Sequence, residues 1–149
     1  PAQRSGLFGS ITMIVLVQKI ASLQRCVARA RQVHRQAGAA FRADLNAQDA
    51  AVLNVIRACD TAIDLANMLI RMRRLGVPNE SRDAFRILTR EGLIDDHLGS
   101  AVQKMVGFRS LAVHQYHELD LAIVEAVIAE KLDDLLRFAE RVRLLVQGD

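Results

Sequence analysis

A chain of 149 residues that is 51% hydrophobic and 25% charged fits one globular domain with a single core. Its net charge of +3 excludes the strongly basic balance of a nucleic-acid coat protein. The longest uninterrupted apolar run, Met13–Val17, is far shorter than the roughly 20 residues that cross a membrane. We therefore expect no membrane segment and a cytoplasmic protein.

The first twelve residues, PAQRSGLFGSIT, are interpreted as a vector remnant or a disordered tail, with the natural start at Met13. The expected domain is therefore residues 13–149, which contain no internal repeat and no low-complexity linker. A single helical domain is predicted for this range.

Three segments carry apolar residues at alternating spacings of four and three, the pattern of helices in an up-and-down bundle. We call each set of regularly spaced apolar residues a seam. The first, second and third seams are Leu16, Ile20, Leu23, Val27 and Ala30; Val52, Ile56, Cys59, Ile63, Ala66 and Ile70; and Ile128, Leu132, Leu135, Ala139, Val142 and Val146. Candidate N-cap residues are Asn79 or Ser81 and Asp95 or Asp96 for two shorter helices, and Asp120 for the last long helix. No segment alternates with period two for long, so we predict an all-α fold of four to five helices.

Two groups of arginines and two cysteines stand out in the predicted helices. The arginines are Arg25, Arg29, Arg31 and Arg35 in the first group and Arg71, Arg73 and Arg74 in the second. Each group is either a solvated helix face or a surface that faces phosphates. The cysteines, Cys26 and Cys59, lack the spacing of a metal site or a disulfide framework, so we expect free, buried thiols.

The segment MVGFRSLAVHQYHELD, residues 105–120, gathers the groups most suited to chemistry. Arg109 is followed after four residues by His114 and, one residue later, by Tyr116, the only tyrosine in the chain. Five positions turn a helix by about 140°, so Arg109 and His114 cannot share a face of one unbroken helix. Either the helix ends between them, or they act in a pocket built from more than one chain.

These residue types suit metal-independent cleavage of RNA. A base must take the proton of the ribose 2′-hydroxyl, an acid must protonate the leaving 5′-oxygen, and a cation must hold the charge on phosphorus. Histidine can serve in either proton transfer near neutral pH, and arginine offers a planar fork for phosphate oxygens. A structural alternative stays open: an arginine and a histidine also cap helix ends, and a single tyrosine is commonly a core residue.

Other polar groups are weaker candidates. His114 and His117, together with Asp120, could suggest metal ligands, but no second ligand cluster accompanies them, so we expect no metal and no cofactor. Asp60 and Asp64 are one helical turn apart and could be paired carboxylates, although a solvated face, or one paired with the nearby Arg57, is the better explanation.

Three segments of the chain resemble the HepT-like proteins, the HEPN-domain toxins of prokaryotic toxin–antitoxin pairs. They are MVGFRSLAVHQYHELD, with the Arg-(four residues)-His-x-Tyr pattern intact, QDAAVLNVIRACDTAIDLANMLI and SRDAFRILTREGLID, and they occur in the family's order. The likeness extends from about Met13 to the end of the chain. It implies a HEPN helical bundle that forms a two-fold homodimer with a cleft at the dimer interface.

The resemblance also implies an activity and a partner. The implied activity is that of a metal-independent ribonuclease toxin acting on transfer or messenger RNA, with Arg109 and His114 catalytic and His117 and Asp60 as supporting residues. The implied partner is an antitoxin resembling a minimal nucleotidyltransferase, which transfers AMP from ATP to Tyr116. The alternative is a non-catalytic partner of a nucleotidyltransferase, whose dimer cleft binds a nucleotide or serves for docking.

Overall fold

The computed structural model describes the backbone of residues 2–148 and the side chains of residues 9–148. Within this range every regular element is helical, which confirms the predicted all-α class. The helices are α1 (Ala2–Ala37), α2 (Leu45–Arg73), α3 (Ser81–Arg90), α4 (Asp96–His114), α5 (Leu121–Ala126) and α6 (Leu132–Gln147). Turns of 3₁₀ helix occupy Gly38–Ala43 and Tyr116–Glu118, and a π turn at Val127–Lys131 joins α5 to α6.

The helix starts follow from carboxylates that satisfy backbone N–H groups. Asp95 and Asp120 cap α4 and α5 as predicted, each accepting a hydrogen bond from a backbone N–H of the first turn. The N-cap of α3 is Glu80, so the predicted caps Asn79 and Ser81 are wrong. The backbone N–H of Glu80 donates to a carboxylate three residues later, at 3.0 Å, which fixes the start of the helix at that residue.

The core lies along the predicted apolar seams. Every seam residue of the first and third segments is buried, whereas Ile56 and Ile63 of the second are only partly covered. Helix α1 packs along α2, and α6 lies against both helices. The rings of Phe85 and Phe138 meet edge to face with centroids 5.2 Å apart, linking α3 to α6.

The two cysteines are free but differ in their surroundings. Cys59 is buried, its thiol lies 3.7 Å from the carbonyl oxygen of Met105, and burial raises its pKa to about 12. Cys26 is only partly buried, so the prediction of two buried thiols holds for Cys59 alone.

Helix α1 extends through residues 2–12, so the helical structure does not begin at the predicted boundary of Met13. Pro1 and the side chains of residues 2–8 lie outside the described residues. Ile11 and Ile14 are 49% and 57% exposed, so this first part of the helix adds little to the core. The origin of residues 1–12 stays a prediction.

One helical stretch, Gly9–Ala43, is long and apolar enough to cross a membrane by length and composition, with a mean hydropathy of 1.4 in its most apolar window. The core helix of a soluble protein meets the same criterion. Leu16, Ile20 and Leu23 in this stretch are buried against other helices of the bundle. The absence of a membrane segment therefore stays a prediction.

Candidate active site

Helix α4 carries both Arg109 and His114 and ends at His114. The predicted possibility that the helix ends between these two residues is therefore wrong. The chain leaves helical geometry at Gln115, with φ −134° and ψ 43°, and enters the 3₁₀ turn that holds Tyr116. Because five residues separate them on one helix, the side chains of Arg109 and His114 leave α4 about 140° apart.

Arg109 is oriented by Asp60 of α2. Its Nε donates to Oδ1 of Asp60 at 2.7 Å, and its Nη2 lies 3.5 Å from Oδ2, so the guanidinium edge faces the carboxylate. The side chains are 33% and 44% exposed, and an ion pair so accessible contributes at most about 1 kcal/mol to stability. The pair therefore acts mainly on the orientation of Arg109, whose second amino group remains available for an anion.

The carboxylates of Asp60 and Asp64 have different partners, so they do not form the catalytic pair considered from the sequence. Asp64 accepts a hydrogen bond from Lys19 of α1 at 3.1 Å, whereas Asp60 is bound to Arg109. An arginine-paired Asp60 is therefore confirmed, but its partner is Arg109 of α4 rather than the neighbouring Arg57.

Tyr116 is held by a second aspartate of α2. Its hydroxyl donates to Oδ1 of Asp49, and its ring is partly buried. Burial, followed by the hydrogen bond and charge of Asp49, raises the pKa of Tyr116 to about 12. The sequence did not single out Asp49, because 67 positions separate it from Tyr116 and no local pattern marks it.

His114 and His117 are both exposed. Within residues 9–148, the side chain of His114 has no hydrogen-bond or ion-pair partner, so its ring is accessible to a ligand. His117 lies in the 3₁₀ turn after the helix, with its ring edge-on to that of Tyr116 at a centroid distance of 5.8 Å. The two histidines therefore do not share a helix face, and no cluster of three potential metal ligands occurs among the described residues.

One face of α2 positions both motif side chains. Asp49 and Asp60 are eleven residues apart, which is close to three full turns, so they point in nearly the same direction about 16 Å apart along the helix. The contacts of Tyr116 and Arg109 therefore lie along one line on α2. This alignment fixes the end of α4 and the following turn against the same helix.

The predicted basic groups separate in the structure. Arg31 pairs with Asp133 of α6 at 2.7 Å, and Arg73 donates to the carbonyl oxygen of Leu145 at 3.1 Å, so both have structural roles. Arg25 and Arg29 instead line a groove between α1 and α2 that also includes Asp60. Arg73 of the second group is therefore used within the fold, and of the first group Arg25 and Arg29 line the groove that Asp60 shares.

Comparison with known proteins identifies the fold and the family. The chain is 40% identical over 129 residues to the mRNA nuclease HepT of Shewanella oneidensis, covering 87% of this chain and 96% of that protein. Two solved structures, a toxin–antitoxin complex with AMP-PNP and a tri-AMPylated Shewanella oneidensis HEPN toxin bound to an MNT antitoxin, each match with a TM-score of 0.83 and 38% identity. They cover 87% of this chain, which covers 98% and 97% of theirs.

A family model described as Ribonuclease HepT-like matches residues 23–142 and so includes Arg109, His114 and Tyr116. The resemblance found in the sequence is thereby confirmed, and the bundle is of the HEPN type. The chain belongs to the HepT-like ribonuclease family.

Proposed function

We propose that this protein is a metal-independent endoribonuclease toxin that cleaves cellular transfer or messenger RNA, with Arg109 and His114 as its catalytic residues. The arrangement at the end of α4 carries this proposal. Asp60 orients Arg109. The side chain of His114 is exposed and has no partner in the described part of the chain. Both groups can therefore meet an anionic substrate. We infer that the protein acts in the cytoplasm, where its RNA substrate is found.

The chemistry needs only side chains. A neutral histidine removes the proton from the ribose 2′-hydroxyl, and the 2′-oxygen attacks the adjacent phosphorus. The bond to the 5′-oxygen breaks, a protonated histidine gives that oxygen its proton, and a 2′,3′-cyclic phosphate remains. Guanidinium groups stabilise the charge on the equatorial oxygens, where their fixed charge and planar geometry suit phosphate.

Two copies of His114 would supply the two proton transfers in a homodimer. Arg109 and His114 point about 140° apart within one chain, so a shared pocket needs a motif from each protomer. Exposed apolar residues support such an interface: Leu53 and Val113, 45% and 44% exposed, lie on nearly the same helix faces as Asp60 and Arg109, respectively. Burying these residues against a second copy would bring the two motifs together in one cleft.

We further propose that a nucleotidyltransferase antitoxin silences the enzyme by transferring AMP from ATP to Tyr116. The phenol oxygen attacks the α-phosphorus, pyrophosphate leaves, and the phenol proton passes to Asp49, which already accepts its hydrogen bond. The new phosphodiester carries a negative charge that the carboxylate of Asp49 repels, so modification breaks this contact. Added bulk and charge at the end of α4 then block an anionic substrate.

The test of the ribonuclease is cleavage of total cellular RNA in EDTA by the wild type and His114→Ala, after intact mass has shown that Tyr116 is unmodified. Because His114 is exposed, the variant should keep its fold and dimer but lose cleavage by about a hundredfold or more. Retained cleavage by His114→Ala would refute its catalytic role. Failure of both proteins to cut would instead favour a non-catalytic partner of a nucleotidyltransferase.

A further inference from the structure

A polar groove of about 560 Å³ runs between α1 and α2 beside the candidate active site. Its lining residues are Ser22, Arg25, Cys26 and Arg29 from α1, and Asn54, Arg57, Asp60 and Thr61 from α2. Asp60 both lines the groove and binds Arg109, so the groove is continuous with the arginine of the motif. A strand that leaves the active site on this side would enter the groove directly.

The groove concentrates positive charge that the protein leaves largely uncompensated. The side chains of Arg25 and Arg57 are exposed and, across residues 9–148, have no hydrogen-bond or ion-pair partner. The guanidinium group of Arg29 contacts the neutral side chain of Gln32, at 3.2 Å. The groove is thus lined by three guanidinium groups and one carboxylate, that of Asp60, which is already paired with Arg109. Positive charges so concentrated attract anions, and a bound anion reduces the repulsion between them.

An arginine without a carboxylate partner is not unique to the groove, since Arg35 and Arg71 are also exposed without one in the described part of the chain. Other arginines outside the groove are paired with carboxylates. Arg31, Arg42 and Arg143, for example, lie 2.9 Å or less from carboxylates of Asp133, Glu125 and Glu140. A merely solvated helix face would place its arginines on one convex surface, whereas those of the groove come from two helices and line a concave surface. Planar guanidinium groups beside the hydroxyl and amide groups of Ser22 and Asn54 suit a sugar–phosphate backbone.

We propose that Arg25, Arg29 and Arg57 bind backbone phosphates of the RNA strand next to the scissile bond, so that the α1–α2 groove extends the substrate site. This inference rests on the proposed ribonuclease function and assigns the site its means of binding a long substrate. Recognition through phosphates is independent of sequence, so the groove supplies affinity rather than choice of cleavage position.

The test compares Arg25→Gln/Arg29→Gln/Arg57→Gln with the matched triple Arg35→Gln/Arg71→Gln/Arg90→Gln. The control removes the same charge from exposed arginines outside the groove, none of which pairs with a distant element in the described part of the chain. Both triples are made in the full chain carrying His114→Ala, which should leave RNA uncut. The probe is a fluorescent single-stranded RNA of about 20 nucleotides, longer than one site of about 4–16 nucleotides.

The groove triple should weaken RNA binding by about tenfold to a hundredfold at roughly 0.1 M salt. The slope of log affinity against log salt should fall in magnitude by roughly 2, at about 0.7 for each lost single-strand phosphate contact. The control triple should retain affinity and slope. Equal losses of RNA affinity in both triples, or an unchanged slope in the groove triple, would overturn the proposal. A groove triple that loses antitoxin binding but keeps its RNA affinity would also overturn it.

Cys26 gives a second readout, because it lies in the groove while Cys59 is buried. Bound RNA should slow alkylation of Cys26 in His114→Ala by about tenfold, and in Arg57→Gln the protection should weaken even if the triple variant does not fold. If saturating RNA left the alkylation rate of Cys26 unchanged, binding of RNA in the α1–α2 groove would be refuted. Cleavage by the wild type is scored separately: groove-dependent binding without cleavage refutes only the ribonuclease, and cleavage without groove dependence refutes only the groove.

Discussion

Arg109 and Tyr116 are each held by an aspartate of α2 that lies outside the motif. Asp60 aligns the guanidinium edge and leaves one amino group available for a phosphate, whereas Asp49 accepts the hydrogen bond of the Tyr116 phenol. His114, which has neither kind of support among the described residues, is the side chain whose surroundings a second protomer or a substrate would change most. Different residues of one motif are thus prepared for different roles by their neighbours.

The titration of Tyr116 tests its contact with Asp49. Because the chain has one tyrosine and no tryptophan, ultraviolet absorbance of the phenolate reports this residue alone. The midpoint should lie at about 12 in the wild type, and Asp49→Asn, which keeps the burial but removes the charge, should lower it toward the ordinary 10.0. Tyr116→Phe supplies the baseline, and a wild-type midpoint at the ordinary value would refute the contact.

The same shift has a consequence for stability. The folded protein holds the phenol proton more tightly than the unfolded chain does, since its pKa is raised. The contribution of this group to folding is therefore complete below about pH 10 and is lost as the pH rises toward about 12. Chemical unfolding across this range should show a smaller loss of stability in Tyr116→Phe than in the wild type.

At the scale of elements, α3 and α4 approach each other through a glycine. A methyl group at Gly99 would overlap the hydroxyl of Thr89, which donates at 2.8 Å to the carbonyl oxygen of Phe85 and is therefore held in place. At Gly107 the nearest group is the tip of the flexible Arg82 side chain, which can move away. Close packing of α3 against α4 therefore requires a glycine at position 99 but not at position 107.

Two substitutions separate these cases. Gly99→Ala should lower the free energy of unfolding by about 1–3 kcal/mol through overpacking, while Gly107→Ala should be neutral or raise it by up to about 1 kcal/mol through helix propensity. Denaturant unfolding of both variants measures the difference. In a Thr89→Ala background the cost of Gly99→Ala should largely disappear; a cost that persists there would show that the overlap is not its cause.

At the scale of the whole molecule, the face that carries the motif also carries exposed apolar side chains. Val113 is 44% exposed and lies one helical turn from Arg109. An apolar side chain so exposed adds little to the stability of a single protomer. Two-fold pairing would present this residue to the interface once from each protomer, so a single substitution acts twice. We therefore expect a substitution that disrupts the homodimer to abolish the catalytic cleft as well.

Val113→Asp should weaken the dimer by about a hundredfold or more, because a carboxylate would be buried in an apolar contact, and RNA cleavage should fall with it. Leu144→Asp is the matched control, since Leu144 is 48% exposed on α6, away from the motif. Light scattering gives the oligomeric state and RNA cleavage the activity. A monomeric Val113→Asp that cuts RNA at the wild-type rate would contradict the shared cleft.

The sequence by itself determined the helical class, the buried first and third seams and two of the helix caps, because these depend on spacing along one chain. Its resemblance in three motifs indicated the family. Tertiary structure alone decided that Asp49 binds Tyr116, that Asp60 binds Arg109, and that Arg25 and Arg29 share a groove while Arg31 is used in an ion pair. These contacts join residues 49 to 102 positions apart. Sequence periodicity assigns a residue to a helix face, but only the packing of helices decides which faces meet.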